Sequence, residues 1–393
     1  MLRAITNVKK IPIVYPPPYP TNGTEVKYFY DKDLKDLLST TKGYPDVEEI
    51  DEFFNQINKH TCLNFTRSEE IKENKIGIYF MITSYTDHVE LSNDENKVTK
   101  VSLTRETYKD IFQIRFYIGL AFGLIPEIQR IDRDRELQIY DTNINARFKP
   151  YFNMSNYYYK FLKNTDYDFA SATHFPNYFG STGSGITYKP CDYRYEEMLK
   201  ANKHFVYSDF RKINNIYCKC PKKNSCQHGG YYSKKDCNTC KCPAMFNGDN
   251  CEKLIETKIE GCNEGQTTLT ALDDEQEVTI ENIKEDCYIS ITATNSSKVV
   301  QIIVEWAQIF NIKGCVMNPR GEIKYRKDKG VEGLYIQHNV SESFELKALS
   351  SEVFVKFHDP FSKSSLVFFY RQVDQTEDFP DLTKTCKEKN TEL

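Results

Sequence analysis

The first half of the chain alternates between helix-like and strand-like spacing of its apolar residues. Segment 46–60 predicts an amphipathic helix, because its apolar residues recur every three or four positions. Those residues are Val47, Ile50, Phe53, Phe54 and Ile57. Segments 75–83 and 97–103 predict strands, and the mostly apolar stretch 108–125 predicts a buried helix because it is longer than a typical strand. With loops and short elements expected over 141–190, residues 8–200 predict one mixed α/β domain.

The second half of the chain carries two further patterns. Residues 214–252 form a cysteine-rich segment. From residue 257 onwards, short β-rich runs at 277–280, 287–293, 299–306 and 352–357 are separated by polar turns, which is typical of a β-sandwich. The charged tail 376–393 predicts disorder. No run approaches the ~18 apolar residues of a transmembrane helix, so we expect no membrane span.

Composition narrows the class of protein only slightly. The chain has 393 residues, 39% of them hydrophobic and 27% charged, with a formal net charge of -4. This length allows two or three domains. Without a basic excess, we expect no nucleic-acid partner.

The number and spacing of the cysteines bear on the compartment in which the protein resides. Eight of the thirteen lie between Cys218 and Cys262, a density that indicates either a disulfide module or a zinc module. The zinc alternative would use Cys237 and Cys240 with Cys218 or Cys220. Five N-x-S/T sequons favour the disulfide alternative and a secreted glycoprotein, at Asn22, Asn64, Asn153, Asn295 and Asn339. The first residues contain no apolar signal-peptide core, so we expect a secreted protein whose signal peptide is not present in this chain.

Segment 115–134 resembles the astacin signature HExxHxxGxxHExxRxDRD. The matching residues stand in one register, at Gly123, Glu127, Arg130, Asp132, Arg133 and Asp134. Segment 167–175 resembles the YDYxSxMHY turn of the same family and keeps His174. A buried helix alone could belong to almost any α/β protein, so the R-x-D-R-D tail and this turn carry the resemblance.

The resemblance implies an α+β astacin-like (metzincin) domain whose active members bind zinc. In this sequence the three histidine-ligand positions are Phe116, Leu120 and Pro126. The general-base position is Tyr117, the position of the methionine beneath the zinc is Thr173, and that of the transition-state tyrosine is Phe175. None of the ligand positions offers a lone pair for a metal, so we expect no cofactor.

The family also implies structural roles for the signature residues that remain. Glu127 would meet a processed amino terminus, and His174 would support the turn rather than bind metal. Asp132, Arg133 and Asp134 would form a buried ionic brace. Residues 11–14 resemble the first strand of the family, and residues 61–65 resemble its TCxxF segment, in which Cys62 would pair with Cys191.

Two accessory modules complete the resemblance. Cys226, Cys237, Cys240, Cys242 and Cys251, with one of Cys218 or Cys220, resemble an EGF-like module over 214–252. Residues 257–375 resemble a degenerate CUB domain, with Cys262 and Cys287 as its first bridge. Thirteen is an odd number of cysteines, so one thiol is left over or pairs between chains.

Three functions follow from these patterns. The first is a secreted, proteolytically inactive astacin relative that binds extracellular proteins or peptides through the old cleft or the EGF-like and CUB-like modules. The second is a zinc metalloendopeptidase with residual or relocated peptide-bond hydrolysis. The third is a structural matrix protein whose accessory modules carry adhesion.

Overall fold

The computed structural model describes residues 15–70, 75–155, 165–200, 204–232, 237–257, 261–310 and 319–375. The strand expected at 11–14 and the disordered tail expected at 376–393 lie outside these ranges. The helices are α1 (Lys32–Thr40), α2 (Val47–His60), α3 (Ile111–Ala121), α4 (Glu196–Lys200) and α5 (Tyr207–Tyr217). Seven short 3-10 segments are Thr107–Lys109, Glu127–Gln129, Arg133–Arg135, Asp141–Asn143, Ala146–Phe152, Tyr193–Tyr195 and Asn263–Gly265.

The described residues contain twenty strands, which lie in three parts of the chain. The first half contains β1 (Val26–Tyr30), β2 (Phe65–Arg67), β3 (Gly77–Ile82), β4 (His88–Glu90), β5 (Val98–Leu103), β6 (Leu137–Ile139) and β7 (Tyr188–Pro190). The cysteine-rich segment contains β8 (Tyr231–Tyr232), β9 (Cys240–Lys241), β10 (Phe246–Asn247) and β11 (Lys253–Leu254). The last part contains β12 (Thr268–Ala271), β13 (Gln276–Glu281), β14 (Cys287–Ala293), β15 (Lys298–Gln308), β16 (Gly321–Lys324), β17 (Leu334–Ile336), β18 (Phe344–Glu345), β19 (Glu352–Phe357) and β20 (Ser365–Asp374).

A five-stranded sheet of order β2-β1-β3-β5-β4 organises the first half. Its pairs are parallel except for the edge strand β4, which runs antiparallel to β5. Helix α2 confirms the helix predicted from apolar spacing, and all five residues of its predicted apolar face are buried. One of them, Phe54, stacks on Tyr28 of β1 with ring centroids 3.8 Å apart, so this face joins helix to sheet.

Helix α3 is the buried helix predicted within 108–125. Asp110 begins it by accepting hydrogen bonds from the backbone N–H groups of Phe112 and Gln113. At its other end the hydroxyl of Tyr19 donates to the carbonyl of Ala121 at 3.0 Å. The chain then turns at Gly123, whose φ is +73°. A Cβ there would also lie 2.7 Å from Cβ of Pro16, so both conformation and space require glycine.

The last part of the chain is an all-β sandwich. One sheet has the order β12-β14-β19-β16-β17 and the other has the order β13-β20-β15-β18. Strands β13, β14, β15 and β19 confirm the four β-rich runs predicted from the sequence. Inward side chains of both sheets, such as Ile291, Val304 and Phe368, are buried in one core. A disulfide between Cys262 and Cys287 joins the start of the sandwich to β14.

The cysteine-rich segment has little regular structure and is held by three disulfides. These join Cys220 to Cys237, Cys226 to Cys240 and Cys242 to Cys251. Its four strands form two sheets of two strands each. With so small an apolar core, covalent links supply much of the stability of such a segment.

The predicted pairing of Cys62 with Cys191 is wrong. Cys62 is bonded to Cys218, with the two Cα atoms 5.6 Å apart. Helices α2 and α5 pack together, as the stacking of His60 on Phe210 at 4.6 Å shows, and each cysteine closely follows one of these helices. This packing selects the partner. Cys191 is also disulfide-bonded, but not to Cys62.

Candidate functional site

The positions that the sequence identified as a degenerate metal site form an aromatic cluster. Phe116 of α3 lies with its ring centroid 5.6 Å from that of Phe175, in an edge-on arrangement. Tyr117 lies 5.1 Å from Phe116, and Phe179 lies 4.3 Å from Phe175. Phe116, Tyr117 and Phe175 are buried. Edge-on and offset ring pairs at these distances are favourable, so the cluster is a packed core rather than a polar site.

The other three substituted positions take no part in these ring contacts. Leu120 lies one turn after Phe116 on α3 and packs on the hydrophobic core. Pro126 is buried after the turn at Gly123 and precedes the 3-10 segment Glu127–Gln129. The methyl group of Thr173 lies 3.0 Å from the position that a Cβ on Gly119 would occupy, so the turn presses closely on α3.

His174 is held inside the turn by two tyrosines. Its Nε2 lies 2.7 Å from the hydroxyl of Tyr167, and its Nδ1 lies 3.0 Å from the hydroxyl of Tyr188. The side chain is buried. Both ring nitrogens are therefore engaged in holding the turn, and neither points to a metal.

Helix α5 fixes the turn from the other side. The carboxylate of Asp209 accepts hydrogen bonds from the hydroxyl of Ser171 at 2.5 Å and from the backbone N–H of Ala172 at 2.9 Å. Ser208 donates to Asp168 at 2.6 Å. Burial raises the pKa of Asp209 to about 6, against the lowering effect of Lys212. Sequence reasoning missed this helix as part of the site.

Glu127 is neutralised by Lys212, which lies on α5. The ammonium of Lys212 forms a buried ion pair with the carboxylate of Glu127, and Nε of Arg130 lies 3.7 Å from the same carboxylate. Glu127 also accepts the backbone N–H of Asp168 at 3.2 Å. The partner that the resemblance implied for this carboxylate was an amino terminus. In the described structure its cation is Lys212.

The R-x-D-R-D tail forms a brace centred on its first arginine. Arg130 is buried and donates to both carboxylate oxygens of Asp132 at 2.8 Å each. Arg133 donates to the carbonyls of Ile128 and Phe152, and its Nε lies 3.1 Å from Asp134. The aspartates themselves are partly exposed. The brace thus ties the tail to the aromatic cluster through Phe152, whose ring lies 5.2 Å from that of Phe175.

Comparison with known proteins gives the family of this site. The model of the astacin family of peptidases matches residues 24–218. Through these residues the chain belongs to the astacin family. The match contains the aromatic cluster, the turn 167–175 and all of α5.

Two curated relatives illustrate the similarity. Zinc metalloproteinase nas-34 of Caenorhabditis elegans is 31% identical over 156 residues, which cover 39% of this chain and 26% of that protein. Zinc metalloproteinase nas-31 of the same organism is 23% identical over 391 residues, which cover 94% and 60%. The chain thus spans between about a quarter and three-fifths of the length of these relatives. A similar solved structure is high choriolytic enzyme 1, a hatching-enzyme zinc protease from Oryzias latipes (Medaka fish), at 20% identity and a TM-score of 0.38 over 51% of this chain and 93% of that chain.

The astacin domain of this chain does not fit the zinc of its family. Carbon-only side chains occupy the three ligand positions, and Phe116 lies edge-on to Phe175, so neither ring offers a donor atom to a metal. Within the described ranges, no group of three or more His, Cys, Asp or Glu side chains is arranged to hold a metal ion.

A loop of the β-sandwich inserts behind the astacin domain. We define residues 325–333, between β16 and β17, as the insertion loop. Asp328 in this loop receives both terminal nitrogens of Arg211 from α5. Arg326 donates to both carboxylate oxygens of Glu136 at 3.0 and 2.9 Å. The backbone N–H of Glu332 reaches Asp168 at 3.3 Å, so the loop touches the base of the turn.

Arg211 also reaches the cysteine-rich segment. Its Nη1 donates to the carbonyl of Gly229 at 3.0 Å, in addition to its bonds with Asp328. Tyr207, one turn earlier on α5, donates to the carbonyls of Gly229 and Lys241. One face of α5 thus contacts all three parts of the chain. The sequence offered no signal for this junction, because a charged segment between strands is typical of an exposed turn.

A cavity of about 190 Å³ lies against the aromatic cluster of the astacin domain. Its described lining includes Phe116, Tyr117 and Phe175, so it adjoins the positions at which the family carries its chemistry. As for the wider setting, none of the helices among the described residues has both the length and the hydropathy needed to cross a bilayer.

Proposed function

We propose that this protein is a proteolytically inactive astacin homologue that acts by binding extracellular proteins or peptides. One observation carries the proposal: the ligand position Phe116 and the transition-state position Phe175 pack against each other as rings. A hydrolytic site needs a metal or another group that activates water. Phe116, Leu120 and Pro126 bind no metal, and Tyr117 stays protonated and cannot take a proton from water, because burial raises its pKa further above the usual value.

The same substitutions support a fold that is stable without metal. Buried histidines without zinc would leave polar nitrogens without partners, which is costly inside a protein. A buried Phe instead contributes roughly 1.5–3 kcal/mol relative to its exposed state. Phe116 and Phe175 both contribute in this way, since each is almost wholly buried.

Binding through accessory modules is part of the proposal. We assign residues 214–252 to an EGF-like module and residues 257–375 to a CUB-like domain, followed by the tail 376–393. The astacin-like unit is assigned to residues 8–200, and the family match runs past this boundary to residue 218, into the first residues assigned to the EGF-like module. Three closely spaced disulfides and a two-sheet sandwich support these assignments.

Secretion and glycosylation are supported by the cysteines and the sequons. All eleven cysteines in the part of the chain that the structure describes are disulfide-bonded, as expected for an oxidising compartment. Four of the five sequon asparagines are exposed, at Asn22, Asn153, Asn295 and Asn339. Asn64 is half-buried, so we expect it to be the least modified of the five.

The first test measures zinc and proteolysis on one sample. The chain is expressed through a secretory pathway, its bound zinc is measured by elemental analysis, and cleavage of casein and gelatin is followed with and without added zinc. We expect far less than one zinc per chain and no cleavage. A parallel sample treated with a glycosidase reports whether the sequons are occupied.

Controls separate inactivity from misfolding. The same sample must show a cooperative thermal transition and the Cys62–Cys218 bridge before a negative result counts. About one zinc per chain together with chelator-sensitive cleavage would contradict the proposal. Cleavage that a chelator leaves unchanged would instead favour hydrolysis by other residues of the chain.

A further inference from the structure

We infer that the cavity beside Phe116 and Phe175 binds an aromatic side chain that a partner polypeptide presents next to a lysine or arginine. The inference rests on the proposed binding function and names the ligand class of its cleft.

The walls of the cavity are mainly aromatic. Phe116, Tyr117 and Phe175 are buried and form its inner part, whereas Phe112 and Phe179 are half-buried. Ring-lined walls favour a ring as ligand, because edge-on and offset aromatic pairs add about 0.5–1.5 kcal/mol to the burial of area. An aliphatic ligand would gain only the free energy of burying its apolar area.

The volume suits one ring and little more. The cavity measures about 190 Å³. Apolar cavities of about 150 Å³ are known to stay dry and to accept benzene. The site is therefore large enough for a phenylalanine or tyrosine side chain, and it is smaller than the pockets of about 300–1,000 Å³ that hold small molecules and cofactors.

The charge at the cavity favours a cationic neighbour of that ring. Asp110 is the only carboxylate among the described lining residues. Its own hydrogen bonds come from neutral donors, the backbone N–H groups of Phe112 and Gln113 and the amide of Gln113. Lys109 is paired with Glu106, and Arg115 interacts with Asp110 only electrostatically, without a hydrogen bond among the contacts of this carboxylate. A lysine or arginine beside the bound ring would meet this carboxylate.

The cavity opens at the protein surface, where one of its lining residues is exposed. Tyr178 lines the cavity and is 64% exposed, although tyrosine is a large and partly apolar residue. Exposed aromatic residues beside an apolar cavity are typical of interaction sites. Asn177 adjoins it and is half-buried, so its amide can bond a peptide backbone at the rim.

The test uses the full secreted chain and short blocked peptides. Three peptides are identical except for a central Phe, Leu or Ala, each followed by Lys, and binding is measured by calorimetry. We expect the Phe peptide to bind at least about tenfold more tightly than the Ala peptide, with Leu between them. Replacing Lys by Glu should weaken binding several-fold at low salt and less at high salt.

Three variants locate the binding. Ala172 lines the cavity, so Ala172→Leu fills it and should reduce the preference for Phe over Ala to less than about twofold. Tyr178→Ala removes an exposed ring without disturbing the core and should reduce the same preference. Tyr85→Ala is the matched control, because Tyr85 is 88% exposed and does not line the cavity.

The outcomes distinguish this inference from the proposed function. Equal binding of the Phe and Ala peptides, or binding of neither, by a folded wild-type chain would overturn the inference. A Leu peptide that matches Phe would show that the site does not select rings. Mass spectrometry of the same mixtures detects cleavage, and cleaved peptide would overturn the non-catalytic proposal whatever the ring preference.

Discussion

Arg211 and Asp328 form a buried, two-armed ion pair between the astacin domain and the β-sandwich. Nη1 of the arginine lies 2.7 Å from one carboxylate oxygen, and Nη2 bonds the other. The side chains are only 6% and 8% exposed. The pair makes the insertion loop part of the same packed unit as the turn 167–175, since Asp209 and Lys212 on the same helix hold that turn.

Breaking this pair should destabilise the whole chain. We expect Arg211→Met to cost about 3–5 kcal/mol, because it leaves the carboxylate of Asp328 buried without its partner. The double variant Arg211→Met/Asp328→Leu should recover much of that loss. Thermal and denaturant unfolding measure both effects. Lys35→Ala is the control, since it breaks an exposed pair with Glu69 and should leave the unfolding transition almost unchanged.

The disulfide between Cys62 and Cys218 can be checked directly. Peptide mapping without reduction should recover a linked pair of peptides containing these two cysteines. Removing both, as Cys62→Ser/Cys218→Ser, should destabilise the fold by about 2–5 kcal/mol, because the bridge closes a long loop of the unfolded chain. A linked pair containing Cys62 and Cys191 would contradict the structure.

The free energy of unfolding of the chain should fall as the pH is raised from 5 to 8. Burial raises the pKa of Glu332 to about 8, although Lys324 opposes this rise and Glu322 and Asp168 add to it. Since the pKa of Glu332 is higher in the folded state than in the unfolded state, the folded state binds more protons than the unfolded state between about pH 4.5 and 8. The contribution of Glu332 to the free energy of unfolding is fully present below its pKa in the unfolded chain. This contribution is lost as the pH rises through 8. Asp209, with a pKa of about 6, acts in the same direction, whereas Lys329, whose pKa burial lowers to about 7, opposes the fall only above pH 7.

Glu332→Gln tests the source of this pH dependence. The variant should flatten the change in unfolding free energy between pH 5 and pH 8 by roughly 1–2 kcal/mol, a value reduced by the partial exposure of Glu332. Glu342→Gln changes an exposed carboxyl in the same way and should leave the profile unchanged. A wild-type chain more stable at pH 8 than at pH 5 would contradict the assignment.

Restoring histidines tests whether the frame of the metal site survives. In Phe116→His/Leu120→His/Pro126→His, two imidazoles stand one turn apart on α3 and the third follows the turn at Gly123. We expect about one zinc per chain and a zinc-dependent rise in melting temperature. Without zinc the variant should be less stable than wild type by about 3 kcal/mol or more, since Phe116 leaves the aromatic cluster.

The matched control for this prediction lacks one ligand. Phe116→His/Leu120→His keeps Pro126 and should bind zinc much more weakly than the triple variant, because two imidazoles do not complete a protein zinc site. If the triple variant melts at the same temperature with and without zinc, the three positions do not converge as the family spacing implies.

Local patterns in the sequence predicted the elements of the fold but not how they meet. The apolar spacing of 46–60 predicted α2 and its buried face, because one face of a helix repeats every 3.6 residues. The signature spacing from Gly123 to Asp134 similarly indicated the turn and the brace before any coordinates. These features depend on residues close together in the chain.

Local sequence patterns did not predict which residues pair with the buried charges. Lys212 is 85 residues from Glu127, and Asp328 is 117 residues from Arg211. No periodicity links such residues, and a charged loop between strands is usually solvated. The partner of Cys62 was missed for the same reason, since the packing of α2 against α5 selects it.

The ion pair between Glu127 and Lys212 has a consequence for when the fold is complete. A carboxylate that depends on a newly exposed amino terminus is neutralised only after a cut in the polypeptide. Here the cation is a side chain of α5, and it is present as soon as the helix has been synthesised. Pairing of this carboxylate with Lys212 therefore requires no cut in the polypeptide, so the region beneath the cleft can fold around Glu127 during biosynthesis.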